Sequence, residues 1–175
     1  MSTADVIEQH IEVDDWEGAR RLILIDLESE PDDHWLLTRL SLTYYEQRDY
    51  ERSLELTNRA LELAPQCPLA LWDHAGTLEE LDRPREALSI YQGLVDRGVD
   101  SLAYGECGEG RAWSRGLVAD CLFRMGTCYV TLGDSGTAAE CFKRCLSLRG
   151  PGCRSIYPIA EVRSKLRGCE HLGGS

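Results

Sequence analysis

Basic residues are missing from the first ten positions, Met-Ser-Thr-Ala-Asp-Val-Ile-Glu-Gln-His10, and so is any unbroken apolar run. The start of the chain therefore reads as neither a secretory signal nor a transit segment. No run of about eighteen apolar residues occurs anywhere, which argues against a membrane-spanning helix. The chain also lacks a C-x2-C pair, a His-Glu-x-x-His motif and anything resembling a nucleophile–base–acid triad. Its four histidines, His10, His34, His74 and His171, are scattered. Catalysis needs convergent groups and a structural zinc site needs clustered ligands. The expectation is a cytoplasmic protein with no catalytic residues, no bound metal and no cofactor.

What is present suits one folded domain: 175 residues, 43% hydrophobic and 28% charged,. The net charge of -11 is unevenly placed. Residues 1–110 carry 25 acids against 9 arginines, and residues 111–175 carry 5 acids against 10 Lys and Arg. Phosphate contacts need clustered Lys and Arg, so nucleic acid is excluded as a partner. The split favours a partner with positive charge, or self-association of an acidic front with a basic rear, beside the plain alternative of solvated helix faces. Eight cysteines in a chain with no secretory signal read as reduced thiols,. Cys121, Cys128 and Cys145 fall where packed helices need small apolar side chains. A metal or redox role for the thiols is the less favoured alternative, resting on Cys107, Cys121, Cys128, Cys141, Cys145, Cys153 and the Cys169-x-His171 pair.

A period organises the chain. Ala19, Ser53 and Ala87 are small residues 34 apart, each followed four positions on by Ile23, Thr57 or Tyr91, and Pro31 and Pro65 share the same offset. Three segments repeat one pattern. The first reads Leu37-x2-Leu40-Ser41-x2-Tyr44 with Ser53-x3-Thr57, and the second Leu71-x2-His74-Ala75-x2-Leu78 with Ala87-x3-Tyr91. The third reads Leu122-x2-Met125-Gly126-x2-Tyr129 with Ala138-x3-Phe142. In these residues the chain resembles a tetratricopeptide repeat (TPR) protein, whose 34-residue unit is a pair of antiparallel helices. The resemblance implies an all-α solenoid of stacked helix pairs. Small residues such as Ser41, Ala75 and Gly126 let the two helices of a pair approach, and His74, standing in for an apolar motif residue, is expected to be a satisfied core histidine.

The expected organisation is one TPR domain. It comprises a degenerate leading unit (1–33), repeats at 34–67, 68–98 and 119–152, an insertion at 99–118, a capping helix at 153–168 and a tail at 169–175. The insertion follows from the step of 51 between Ala87 and Ala138, which is 17 beyond the period. Residues from about Gly98 to Gly108 are expected as a loop, and apolar spacing from Ala112 to Leu132 predicts a long helix starting near Glu109 or Gly110. The capping helix is expected over Ile156–Leu166 with Ser155 as N-cap. Gly105-x4-Gly110-Arg111-Ala112 has the glycine spacing of a phosphate loop. It lacks the Lys, the hydroxyl and the preceding strand, and Glu106 and Glu109 would repel phosphate.

Stacked TPR units resemble one another in offering the inner faces of their first helices to a ligand. The phase of the motif puts Trp35, Arg39, Leu42 and Tyr45 on such a face, followed by Trp72, Asp73 and Glu79, and by Phe123, Arg124 and Thr127. Trp35, Trp72 and Phe123 either anchor a partner or fill the core between repeats. The implied function is a non-catalytic scaffold for another protein or peptide with apolar anchors and some positive charge, attracted by Asp73, Glu79 and Glu80. Nothing in the sequence assigns a membrane or nucleic-acid partner. Tyr104, Glu106, Arg111 and Trp113 in the insertion are the further candidates. The Lys and Asn set with which the resembled family clamps acidic carboxyl tails is absent.

Overall fold

The computed structural model describes residues 2–172, and every regular element among them is an α-helix. The chain divides into two compact units, residues 1–81 and 82–175. In the first unit the helices are α1 (Thr3–Glu12), α2 (Trp16–Ser29), α3 (His34–Glu46), α4 (Tyr50–Leu63) and α5 (Pro68–Glu80). Consecutive helices pack on one another, and α3 also packs on α5.

One local device makes the helix pairs. The backbone N–H groups of Asp15, Asp49 and Asp134 each reach back five residues, to the carbonyls of His10, Tyr44 and Tyr129, at 2.9 Å. This is the bond that closes a helix whose chain then passes through a left-handed residue. That residue is Asp14, Arg48 or Gly133, with φ of 58°, 62° and 82°. The side chains of Asp15, Asp49 and Asp134 then accept from the backbone N–H groups of Gly18, Arg52 and Thr137, capping the helix that follows,. One aspartate thus ends one helix and begins the next.

The core of the first unit gathers Ile7, Ala19, Ile23, Leu36 and Leu40. Ser41 illustrates why the motif needs a small residue there. Its hydroxyl is buried 2.9 Å from that of Ser53, which lies 2.8 Å from the hydroxyl of Thr77. A chain of three hydroxyls therefore pins α3, α4 and α5 without stranding a polar group. His74 is satisfied as expected, with Nδ1 2.8 Å from Thr57 Oγ1.

The second unit holds α6 (Pro84–Tyr104), α7 (Arg111–Thr131), α8 (Ser135–Leu148) and α9 (Ile159–Leu172). Here the structure corrects the expected loop. Residues 99–104 are helical, continuing α6 beyond a kink at Gly98, whose φ of 76° and ψ of 163° interrupt the helix. The reason is burial: Leu102 is fully buried and Ala103 nearly so. The irregular connection shrinks to 105–110, held by Gly110 N–H donating to Ala103 O at 3.2 Å. A Cβ on Gly108 would lie 2.6 Å from that same oxygen, so only glycine fits there. The long helix starts where the spacing predicts, with Gly110 at its N-cap.

The last helix differs from expectation at both ends. It begins at Ile159, because Pro158 keeps Tyr157 out of the helical region,. Ser155 is not its cap, its hydroxyl being bonded to Asp120 and Arg149 instead. The helix also runs through Cys169, Glu170 and His171, which the sequence assigned to a tail, and Cys169 is buried. The remainder of that tail, 173–175, lies outside the described residues.

Candidate functional site

Within the first unit, two contacts turn α3 and α5 toward a shared face. Arg39 is near enough to Asp73 for its charge to act on that carboxyl, and the Tyr45 hydroxyl donates to Glu80 Oε1 at 3.4 Å. Arg39 and Asp73 occupy equivalent places 34 residues apart. Of the positions that the repeat uses for packing, Leu37, Leu40, Ser41, Ala75 and Leu78 are buried, and Tyr44, Leu71 and His74 are half-buried. The face between them keeps Arg39, Leu42, Tyr45, Trp72, Asp73 and Glu79 half-buried. Trp35 is also half-buried, but its ring packs against the core cluster and lies 5.7 Å from the Arg39 guanidinium carbon.

Charge on this face is predominantly negative. Arg39 Nε is buried 2.6 Å from Glu8 Oε1, an ion pair without hydrogen-bond alignment. Asp73 Oδ2 is buried with no hydrogen-bond partner, although the residue as a whole is partly exposed. Burial drives the Asp73 carboxyl up to about 7; Arg39 opposes the shift, and Glu46 and Glu8 reinforce it,. Glu46 is itself raised, first by burial and then by Asp14. Glu8 and Glu46 escaped the sequence reading because nothing in the motif distinguishes them from other surface acids.

In the second unit the corresponding face is covered by the chain itself. Phe123, expected as an anchor, is only 3% exposed. Tyr157 stacks on it with ring centroids 4.0 Å apart and planes 25° apart, and Phe142 packs at 5.7 Å on another side. Phe123 is therefore buried against Phe142 and Tyr157 and is not presented at the surface. Arg124 reaches the Tyr157 hydroxyl at 3.5 Å, and the Thr127 hydroxyl is turned back to Arg124 O at 2.7 Å.

The covering segment, 149–158, is fixed to α7 at several points. Asp120 is buried in the apolar run of α7 and accepts from the Ser155 hydroxyl and, at 3.1 Å, from Ile156 N–H. Arg149 donates to Tyr157 O at 2.7 Å, and Arg154 N–H to Ala112 O at 3.3 Å. The segment passes so close to Gly116 that any Cβ there would strike Arg154 backbone. Burial raises the Asp120 carboxyl despite the hydrogen bonds from Ser155 and Ile156 and the Arg149 charge, which hold the rise down. A charged residue among Leu117, Val118, Ala119 and Cys121 was the available signal that this helix face has a polar partner.

The insertion candidates lie on both sides of the 105–110 turn. Tyr104 is 73% exposed, Glu106 is exposed, Arg111 pairs with Asp100 at 2.5 Å, and Trp113 is half-buried. Among the cysteines, Cys121, Cys128 and Cys145 are buried in the second unit, and burial pushes the Cys145 thiol up to about 11.

The tetratricopeptide repeat family matches this sequence twice, over residues 35–67 and over residues 119–150. This is a tetratricopeptide-repeat protein. No curated protein matches the chain. Among solved structures, a crystal structure of MamA superposes with a TM-score of 0.71 at 16% identity, covering 97% of this TPR chain and 85% of its own. A second, MamA from residue 41 to its end from Desulfovibrio magneticus RS-1, gives a TM-score of 0.66 at 15% identity over 99% and 96%. A third, MamA AMB-1, gives 0.68 at 17% identity, over 98% and 87%. At such identities the likeness is one of fold alone. No helix among the described residues is long and apolar enough to cross a membrane.

Proposed function

We propose that this TPR protein is a non-catalytic binding scaffold, and that the α3–α5 face of its first unit receives a segment of another protein. The observation that carries the reading is the contrast along these two helices. Leu37, Leu40, Ser41, Ala75 and Leu78 are buried and the motif's Tyr44, Leu71 and His74 half-buried, while the non-motif Leu42, Tyr45 and Trp72 also remain half-exposed beside them. Aromatic side chains of that kind are common anchors of interfaces. Residues 1–81 carry 19 acids and 6 arginines, so the partner segment combines apolar anchors with positive charge,. The covered state of Phe123 withdraws it from this set, and the reading rests on the first unit alone.

The test is affinity capture from native cells with the whole chain, followed by binding of the captured partner to variants. Trp72→Ala combined with Leu42→Ala is expected to weaken binding at least about tenfold, in line with loss of interface anchors. Unchanged affinity in the double variant, with the helical signal intact, would refute the reading.

A further inference from the structure

Asp120 and Asp73 are both at least partly buried on their helices, and the chain treats them differently. Asp120 of α7 is met by an irregular segment that brings a hydroxyl from Ser155, a backbone N–H from Ile156 and the charge of Arg149. Asp73 of α5 lies one helical turn beyond the equivalent place, since adding the 51-residue step to 73 gives 124, four positions after 120,. No such segment among the described residues meets Asp73. Its Oδ2 is buried without a hydrogen bond, and the one cation acting on it, Arg39, is already paired with Glu8. Leaving a buried carboxylate oxygen unmatched costs free energy in the unbound protein.

From this contrast we infer that Asp73 is the receptor for an arginine side chain of the partner, presented on an extended segment much as 149–157 is presented to Asp120. The inference deepens the partner-binding reading and rests on it. A guanidinium suits the site better than an ammonium. It is planar and can bridge carboxylates in fixed geometry, and Glu8, Glu46 and Asp73 outnumber Arg39 around it,. Asp73 as a residue retains some exposure, although its Oδ2 is buried. The groups that set its titration are Arg39 and Glu46 from α3 and Glu8 from α1.

The experiment uses the full chain with blocked arginine amide as probe, and blocked lysine and glutamine amides at equal ionic strength as comparisons. Carbon-detected NMR follows the titration of the Asp73 carboxyl, assigned by its loss in Asp73→Asn. Arginine amide is expected to lower the Asp73 midpoint saturably by about 1–3 pH units, as a guanidinium beside an aspartate does. Lysine amide should do so less, and glutamine amide not at all. A midpoint that ignores arginine amide, or that moves equally with lysine or glutamine amide, overturns the inference. Asp73→Asn should in addition abolish any rise in melting temperature caused by arginine amide, and a rise that survives the substitution counts against it. An unresponsive Asp73 in a protein whose captured partner still depends on Trp72 and Leu42 sinks the arginine receptor alone. A responsive Asp73 with no such dependence sinks the wider face.

Discussion

Tyr157 lies flat on Phe123, ring centroids 4.0 Å apart, and so a residue between two helices closes the inner face of the long helix α7. Stacked aromatic pairs contribute about 0.5–1.5 kcal/mol beyond the area they bury. Tyr157→Ala is therefore expected to destabilise the protein, and a double-mutant cycle with Phe123→Leu in urea unfolding should return a coupling energy in that range. Additive effects of the two substitutions would mean that the stacking contributes nothing of its own.

Gly126 faces Phe142. A Cβ added at Gly126 would lie 2.5 Å from Phe142 Cε1, in a ring that is fully buried and cannot swing away. Gly126→Ala is expected to cost roughly 1–3 kcal/mol by overpacking despite the better helix propensity of alanine. Adding Phe142→Leu should make the alanine less costly, because the space it needs is then vacated. Chemical denaturation of the three variants measures this.

Asp73 makes stability depend on pH in an unusual direction. Its carboxyl titrates near 7 in the folded chain, against an ordinary value of 3.8 in the unfolded one. Between those values the folded state holds the extra proton, so stability falls as pH rises through the window from about 4 to 7. Asp120 and Glu46 are raised too and act in the same sense. Asp15, lowered first by its capping bond from Gly18 N–H, and Asp134, lowered first by the Thr137 hydroxyl and then by its capping bond, act oppositely and only at lower pH. Urea unfolding at pH 5 and pH 8 should show a loss of stability in the wild type that is smaller in Asp73→Asn. An equal loss in both would remove Asp73 as its source.

The thiols give a kinetic prediction. With its thiol pushed to about 11 by burial, Cys145 at pH 8 is expected to react with a thiol reagent at least about 100-fold more slowly than a free cysteine, through its reduced thiolate fraction alone,. Cys121, buried and raised in the same way, should behave alike. Cys153, half-buried in the covering segment, should be labelled well before either. Mass spectrometry of partially labelled protein reads the order directly, and early labelling of Cys145 would mean that the second unit opens readily.

Much of this architecture was legible because it is periodic. Ala19, Ser53, Ala87 and Ala138 mark the second helix of each pair, all four are fully buried, and the step of 51 located the insertion. The long helix was legible too, since its apolar spacing runs unbroken from Ala112. Leu102 and Ala103 were not, because a six-residue helical piece behind a kinked glycine is too short to show a period. Tyr157 on Phe123 was invisible for another reason. The motif gives the phase of a helix but says nothing of an irregular segment that returns to cover it. The isolated Asp120 was the one residue whose charge, set in an apolar run, asked for such a partner.

The left-handed residues within the helix pairs stand at 14, 48, 82 and 133. They act as a ruler written in the backbone, and the spacing changes only once, by the same 17 residues that separate Ala87 and Ala138 beyond the period. The added length lies in the end of α6, the 105–110 turn and the start of α7, leaving the tight turn within each pair unaltered. The added stretch is packed through buried Leu102 and Ala103, so a change of length there disturbs least at the exposed Tyr104 and Glu106.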